Sequence, residues 1–317
     1  MKESTGQEPR KSIKELIYEL RKNIVKRKIT RNLGKVVETE EKLICYVKKR
    51  KCPKDKYRCR IDCYGIKGKD KELAKLYNLD KPICYIFDKI NFGSQRNYKH
   101  IVINGYNNCE IIIKDCKFYF DIDICVDGKC TIENTYIRLF YTLPIYAGNL
   151  IIKDMDINHF LKHGKDLEIN LAASQNLEII NSNIGKEKER TSVTMISDEI
   201  NLTNTKITGD EVCCEAKVMT TDTNSDITAS NKVDLKINNL QALKLKSPTI
   251  NYNNKSLLTE TETISLEKEE DPLKLRRLEL IELLKQLKNK VDNKNEVTIN
   301  KCKFSLEAKP ISRILSK

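Results

Sequence analysis

Apolar side chains recur along this chain at a two-then-five spacing. Ile111, Ile113 and Phe118 show it in the stretch EIIIKDCKF, and Val297, Ile299 and Phe304 repeat it in EVTINKCKF. The same spacing joins Tyr85, Phe87 and Phe92, then Cys130, Ile132 and Ile137, then Leu150, Ile152 and Ile157. It returns at Leu177, Ile179 and Ile184, at Ile200, Leu202 and Ile207, at Val233, Leu235 and Leu240, and at Leu243, Leu245 and Ile250. Two residues apart places both side chains on one face of a strand, because successive side chains alternate. The gap of five then requires a bend before the next inward residue. Asp115, Asn134, Asp154, Asn181 and Asn204 stand three positions before the last apolar residue of their copies. Asn and Asp tolerate left-handed backbone at such a bend. The last anchors, Phe118, Ile137, Ile157, Ile184, Ile207, Ile227 and Ile250, advance by 19 to 27 residues. Units of this size cannot bury their apolar face alone and must stack on neighbours.

Short apolar strands, Asn-rich bends and a period near 20 residues resemble the right-handed parallel β-helix proteins, the pectin-lyase-like superfamily. The resemblance covers about residues 82–256 and a closing rung at 295–306. It implies a mainly β fold, a single-stranded parallel β-helix or β-solenoid. An antiparallel β-sandwich shares the short strands at regular intervals, but the one-sided spacing repeats where a sandwich would vary. Two places fit poorly: VMTTDTNSDI at 218–227, and the crowded anchors Leu240 and Ile250.

The flanks supply candidates for covering the open strand edges of such a stack. Residues 1–81 read as a basic α+β capping region, in which Ile13, Leu16, Ile17, Leu20 and Ile24 share one helix face. Residues 257–294 read as a linker and an amphipathic helix, with Asp271 as cap and Pro272 at its first position. Its apolar face includes Leu273, Leu280, Ile281, Leu284, Leu287 and Val291. Residues 295–317 then carry the closing β rung and a tail, so the helix interrupts the stack and the stack resumes.

Charge changes this picture at one end. Of the formal net charge of +13, residues 1–100 carry 28 basic and 13 acidic side chains, whereas residues 101–200 carry 10 and 15. A basic block attracts polyanions such as nucleic acid, acidic lipid or an acidic partner, and also keeps proteins soluble. Fifteen of the 20 Phe and Tyr residues lie between Tyr57 and Tyr146. Aromatic faces beside Lys and Arg stack bases or sugars, while aromatics also fill cores. Lys48, Lys49, Arg50, Lys51, Tyr57, Arg58, Arg60 and Tyr64 are therefore the candidate polyanion-binding residues. No apolar run approaches the roughly 20 residues needed to span a bilayer. The amino terminus has no uninterrupted apolar segment of the secretory type, so the expected localisation is cytoplasmic and the 12 cysteines are expected reduced.

Cys45, Cys52, Cys59 and Cys63 fall within 19 residues and are a candidate structural zinc set. Their gaps of six, six and three residues lack the usual pair of cysteines two residues apart, so packed or free thiols compete with that reading. His159 and His163 lack a well-spaced third ligand. Asp121, Asp123 and Asp127 cluster as the carboxylates of polysaccharide-cleaving β-helix enzymes do, yet the two aspartates alternate with Ile122 and Ile124 as on any half-exposed strand. Three functional expectations follow: a non-enzymatic scaffold with a protein partner on its side wall, a nucleic-acid-binding protein using its basic amino-terminal region, and a carbohydrate-active enzyme.

Overall fold

The computed structural model describes residues 12–48, 58–93, 100–157, 159–160, 166–186, 190–240, 243–253, 255–258 and 264–265. The chain is mainly β, with a large, mostly parallel sheet compatible with a β-solenoid. The expected helix at 272–291 and the closing rung at 295–306 lie outside the described residues.

The two-then-five spacing becomes columns of buried side chains. One wall pairs Leu43–Val47, Ile83–Asp88 and Glu110–Lys114 in parallel, then continues through 129–133, 149–153, 176–180 and 199–202. Ile113 lies beside Ile132, Ile132 beside Ile152, and Ile152 beside Ile179. All four are essentially inaccessible to water. A second, short wall aligns Phe92, Phe118 and Ile137, and further along aligns Ile157, Ile184, Ile207, Ile227 and Leu245. A third wall stacks Ile61, Ile103, Ile124, Ile145, Leu171, Met195, Cys214 and Leu235. The three inner faces belong to one continuous hydrophobic cluster. Each added rung thus buries apolar surface only against the rung before it and the rung after it.

The bends are held as their chemistry suggests. Asp115, Asn134, Asp154, Asn181 and Asn204 all have φ between 43 and 52°, a left-handed conformation most L-residues avoid. Their side chains also form a ladder: Asn134 Nδ2 donates to Asp115 Oδ1 at 2.6 Å, Asn181 to Asp154 at 3.2 Å, and Asn204 to Asn181 at 3.0 Å. Just inside it, buried hydroxyls continue the bonding. Thr135, Ser182 and Ser225 accept the backbone N–H of Cys116, Met155 and Thr205.

Two copies of the repeat are re-phased. Val233 and Leu235 lie on the third wall, beside Ile250 and Tyr252, while Leu245 lies on the short wall beside Ile227. Val233, Leu235, Leu245 and Ile250 are buried, but not on the wall their spacing suggested. The poor copy at 218–227 has buried Thr221 where its neighbour has Leu202. One extra residue then separates Thr221 from Ile227, so the spacing breaks while the stack does not.

Parallel pairing also takes in Leu43–Val47 and Arg58–Tyr64, amino-terminal of residue 82. Antiparallel strands lie against both ends: Gly34–Glu38 on Leu43–Val47, and Lys255–Leu258 on Thr249–Tyr252. Helix α1 spans Ile13–Ile29 and opens with a capping box in which Ser12 and Glu15 bond each other's backbone N–H. Helix α2, Lys69–Leu76, lies between the third-wall strand ending at Tyr64 and the next strand of the first wall. One expectation fails at α1: its apolar face at Ile13, Leu16, Ile17, Leu20 and Ile24 is exposed, and Val25 and Ile29 are its buried residues. The neighbouring bonds explain this orientation. Lys22 and Lys26 both reach Glu38, at 3.0 and 2.9 Å, and Tyr18 packs on Tyr77, which turns the opposite face outward.

Candidate functional site

The outward side of the third wall gathers polar and aromatic groups over its first rungs. On Arg58–Tyr64 the alternation points Ile61 and Cys63 into the core and leaves Arg58, Arg60, Asp62 and Tyr64 on the outer face. Parallel pairing with His100–Tyr106 sets Arg58 beside His100, Asp62 beside Asn104, and Tyr64 beside Tyr106. The Tyr64 and Tyr106 rings stack with centroids 4.9 Å apart and planes 23° from parallel. The Arg31 guanidinium lies over the Tyr64 ring at 4.9 Å, a cation–π arrangement. The backbone of Tyr64 is fixed from inside, where its N–H and C=O both bond the buried Tyr85 hydroxyl, at 3.3 and 2.8 Å.

Ion pairs order the guanidiniums around this shelf. Arg60 Nε donates to Asp62 Oδ1 at 2.8 Å while its Nη2 donates to the Tyr106 hydroxyl at 2.8 Å. Asn104 donates to the same Asp62 oxygen. Arg58 Nη2 lies 3.0 Å from Asp123 Oδ2, and His100 Nε2 lies 2.8 Å from Asp123 Oδ1. The Asp62 carboxylate raises the Arg60 pKa. Partial burial, opposed by Arg60, raises that of the Tyr106 phenol. Both groups therefore keep their protons at neutral pH, with the Arg60 guanidinium donating and the Tyr106 hydroxyl accepting. The net charge of the face is smaller than its Arg count implies, because carboxylates pair with Arg58 and Arg60, two of its three exposed guanidiniums.

The remaining expected residues separate. Lys48 is exposed just beyond its strand, and its N–H bonds Leu33 O at 3.2 Å. Lys49, Arg50, Lys51, Cys52, Tyr57 and His163 lie outside the described residues. Cys45 and Cys63 are buried core residues, and burial pushes the Cys45 thiol up to about 11. Cys59 is disulfide-bonded, in contrast to the reduced state expected of it, whereas Cys45, Cys84, Cys109, Cys116, Cys125, Cys130, Cys213 and Cys214 are reduced as expected. Among the described residues no group of three His, Cys, Asp or Glu side chains converges as a metal site. Cys213, further along the third wall, lines a shallow depression with Thr194, Glu211 and Asp234. Burial and Asp234 raise its thiol to about 11, so it stays protonated and a poor nucleophile at neutral pH.

Asp121 and Asp127 of the aspartate cluster serve the bends. Asp127 accepts the N–H groups of Asn107 and Asn108 at 2.6 and 2.8 Å, which supports two consecutive left-handed residues. Asp121 is buried and accepts the N–H groups of Phe140 and Tyr141 at 2.8 and 3.1 Å. Burial raises its pKa from the ordinary 3.8 despite those bonds. Asp121→Ala, which orphans both N–H groups, is expected to cost about 2–4 kcal/mol in chemical denaturation. Asp121→Asn keeps an acceptor and is expected to stay within about 1 kcal/mol of wild type. A raised carboxyl stabilises the fold fully below its unfolded pKa and loses that contribution as pH rises through its folded value. The stability of Asp121→Asn relative to wild type should therefore increase as pH climbs from below 3.8 into the mildly acidic range. A flat difference across that range would refute the burial argument.

Arg31, His100, Asn104, Tyr106 and Asp123 were not among the binding residues expected from sequence. Tyr106 stands 42 positions after Tyr64, with α2 and two strands between, so no local periodicity links them. Comparison with protein families, with curated proteins and with solved structures finds no match in any of the three. Among the described residues no helix is long and apolar enough to cross a membrane.

Proposed function

We propose that this chain is a single-stranded parallel β-helix acting as a non-enzymatic interaction module, which engages a protein partner on the outer third wall near its amino-terminal end. The observation that carries this reading is the Tyr64–Tyr106 stack, edged by Arg31 and Arg60 and fixed from the core by Tyr85. Tyr and Arg in rigid, preordered positions are the residue types that dominate binding energy at protein interfaces. The nearby carboxylates bond Arg58, Arg60, His100 or backbone N–H groups, which makes them parts of the wall.

The test compares proteins captured by the immobilised wild-type chain with those captured by a Tyr64→Ala/Tyr106→Ala/Arg60→Glu variant of matched circular dichroism. A specific partner should weaken at least tenfold with the variant, since hot-spot truncations each cost about 2 kcal/mol or more. An identical captured set, or turnover of a polysaccharide by the purified chain, would reverse the proposal.

A second reading is nucleic-acid binding at the same shelf, favoured by the pairing of guanidiniums with aromatic faces. It predicts salt-sensitive fluorescence anisotropy with single-stranded oligonucleotides, weakened by Tyr106→Ala. Equal binding by that variant would sink it.

A further inference from the structure

We propose that helix α1 is a membrane-surface helix that lies on anionic lipid. The starting observation is its exposed apolar face: Ile13 is 77% accessible, Leu20 63%, Ile24 58%, Leu16 54% and Ile17 45%. Ile13, Ile17, Leu20 and Ile24 follow a four-three-four spacing, so at 3.6 residues per turn they form one straight stripe. The stripe runs about 18 Å along the helix.

Charge identifies the surface that would cover it. At about 100° per residue, Lys14 and Arg21 flank the stripe on one side and Arg27 flanks it on the other, while Lys28, on the same arc, pairs with Asp70. Glu15 and Glu19 fall on the opposite half of the helix. Lys22 and Lys26 are engaged on the inner side with Glu38. Every charged residue on the outward arc is thus basic. A helix pair with a second copy would bring Lys14, Arg21 and Arg27 of the two helices against one another. An anionic bilayer satisfies both features, because the stripe enters the boundary between headgroups and acyl chains while Lys and Arg reach phosphates. Residues 1–100, with 28 basic and 13 acidic side chains, extend the same attraction beyond the helix. Such binding is peripheral and needs no spanning segment.

The fold fixes the helix for this role. Val25 and Ile29 anchor its carboxyl-terminal half in the core, Lys28 pairs with Asp70 on α2 at 2.9 Å, and the Ser12–Glu15 capping box holds its first turn. The stripe is therefore presented as preformed helix, and lipid binding does not have to meet the full cost of ordering it.

The experiment is co-sedimentation of the full chain with vesicles of phosphatidylcholine alone and of equimolar phosphatidylserine and phosphatidylcholine. Binding is expected to the phosphatidylserine vesicles and to fall with salt. Arg21→Ala should lower the partition coefficient about fivefold, the value of one cation near an anionic surface. Ile17→Glu/Leu20→Glu should abolish binding while leaving the thermal transition unchanged, since both side chains face water. Several results would overturn the proposal. These are no preference for phosphatidylserine, or retained binding by Ile17→Glu/Leu20→Glu, which would mean charge adsorption alone. A wild-type dimer in sedimentation velocity that this double variant converts to monomer would assign the stripe to self-association instead.

Discussion

Phe118→Ala is expected to destabilise the chain by about 3–5 kcal/mol, the range for removing a fully buried phenyl ring. Phe118 is 1% exposed, aligned between Phe92 and Ile137 on the short wall. Its ring stacks on Phe92 with centroids 4.8 Å apart and planes 8° from parallel. Neighbouring rungs hold backbone bonds on both sides, including Lys117 N–H to Ile90 O at 2.9 Å and Tyr136 N–H to Cys116 O at 2.9 Å. The wall therefore cannot collapse into the space left by the ring, and most of the cavity cost should persist. Urea denaturation measures the effect as a lowered midpoint. Ile152→Val, which removes one methylene from an equally buried column, sets the scale at about 0.5–1.5 kcal/mol. Similar losses for the two variants would mean that the short wall does not share the dry interior of the long ones.

The second large effect belongs to the bends. Asn181→Val is expected to cost about 3 kcal/mol, and Asn181→Gly about 1 kcal/mol. Both variants lose the side-chain bonds to Asp154 and from Asn204. Those bonds are exposed, so their net contribution is modest. The variants differ in backbone freedom. At φ 49° a glycine is unstrained, whereas a β-branched residue meets its own carbonyl. The gap between the two therefore isolates strain from hydrogen bonding. Thermal unfolding of both proteins reads it directly, and equal melting temperatures would show that Asn181 serves the ladder rather than the turn.

These two positions also show why much of the fold is legible in the sequence. Phe118 and Asn181 sit inside copies of one short phrase, and the phrase carries its geometry locally. A spacing of two defines a strand face, and an Asn or Asp three residues before the next anchor defines a bend. Where local chemistry was altered, legibility was lost. Thr221 substitutes a polar group into the column, an extra residue follows, and the two-then-five spacing then points Val233 and Leu235 to the wrong wall. Interior packing tolerated the change because Met219 and Ile227 still reach the same cluster.

The candidate site was readable only in half. Arg58, Arg60 and Tyr64 announced themselves as a basic and aromatic run. Cys63 looked like a potential ligand from the same run, yet strand alternation turns it into the core while its neighbours face water. The partners that make a shelf of these residues, Tyr106, Asp123 and Arg31, come from three other segments.

What the sequence by itself determined, then, is the unit: strand, bend, strand, with its inward apolar positions and its left-handed Asn and Asp. Those follow from steric and solvation preferences acting over fewer than ten residues. Only the tertiary structure decided which rungs lie side by side, because register depends on the length of the excursion between them, and α2 lengthens one of them. It also decided which face of α1 meets water. Glu38 and Tyr77, both distant in sequence from the residues they bond, hold that helix by its back and leave Ile13, Ile17, Leu20 and Ile24 facing out.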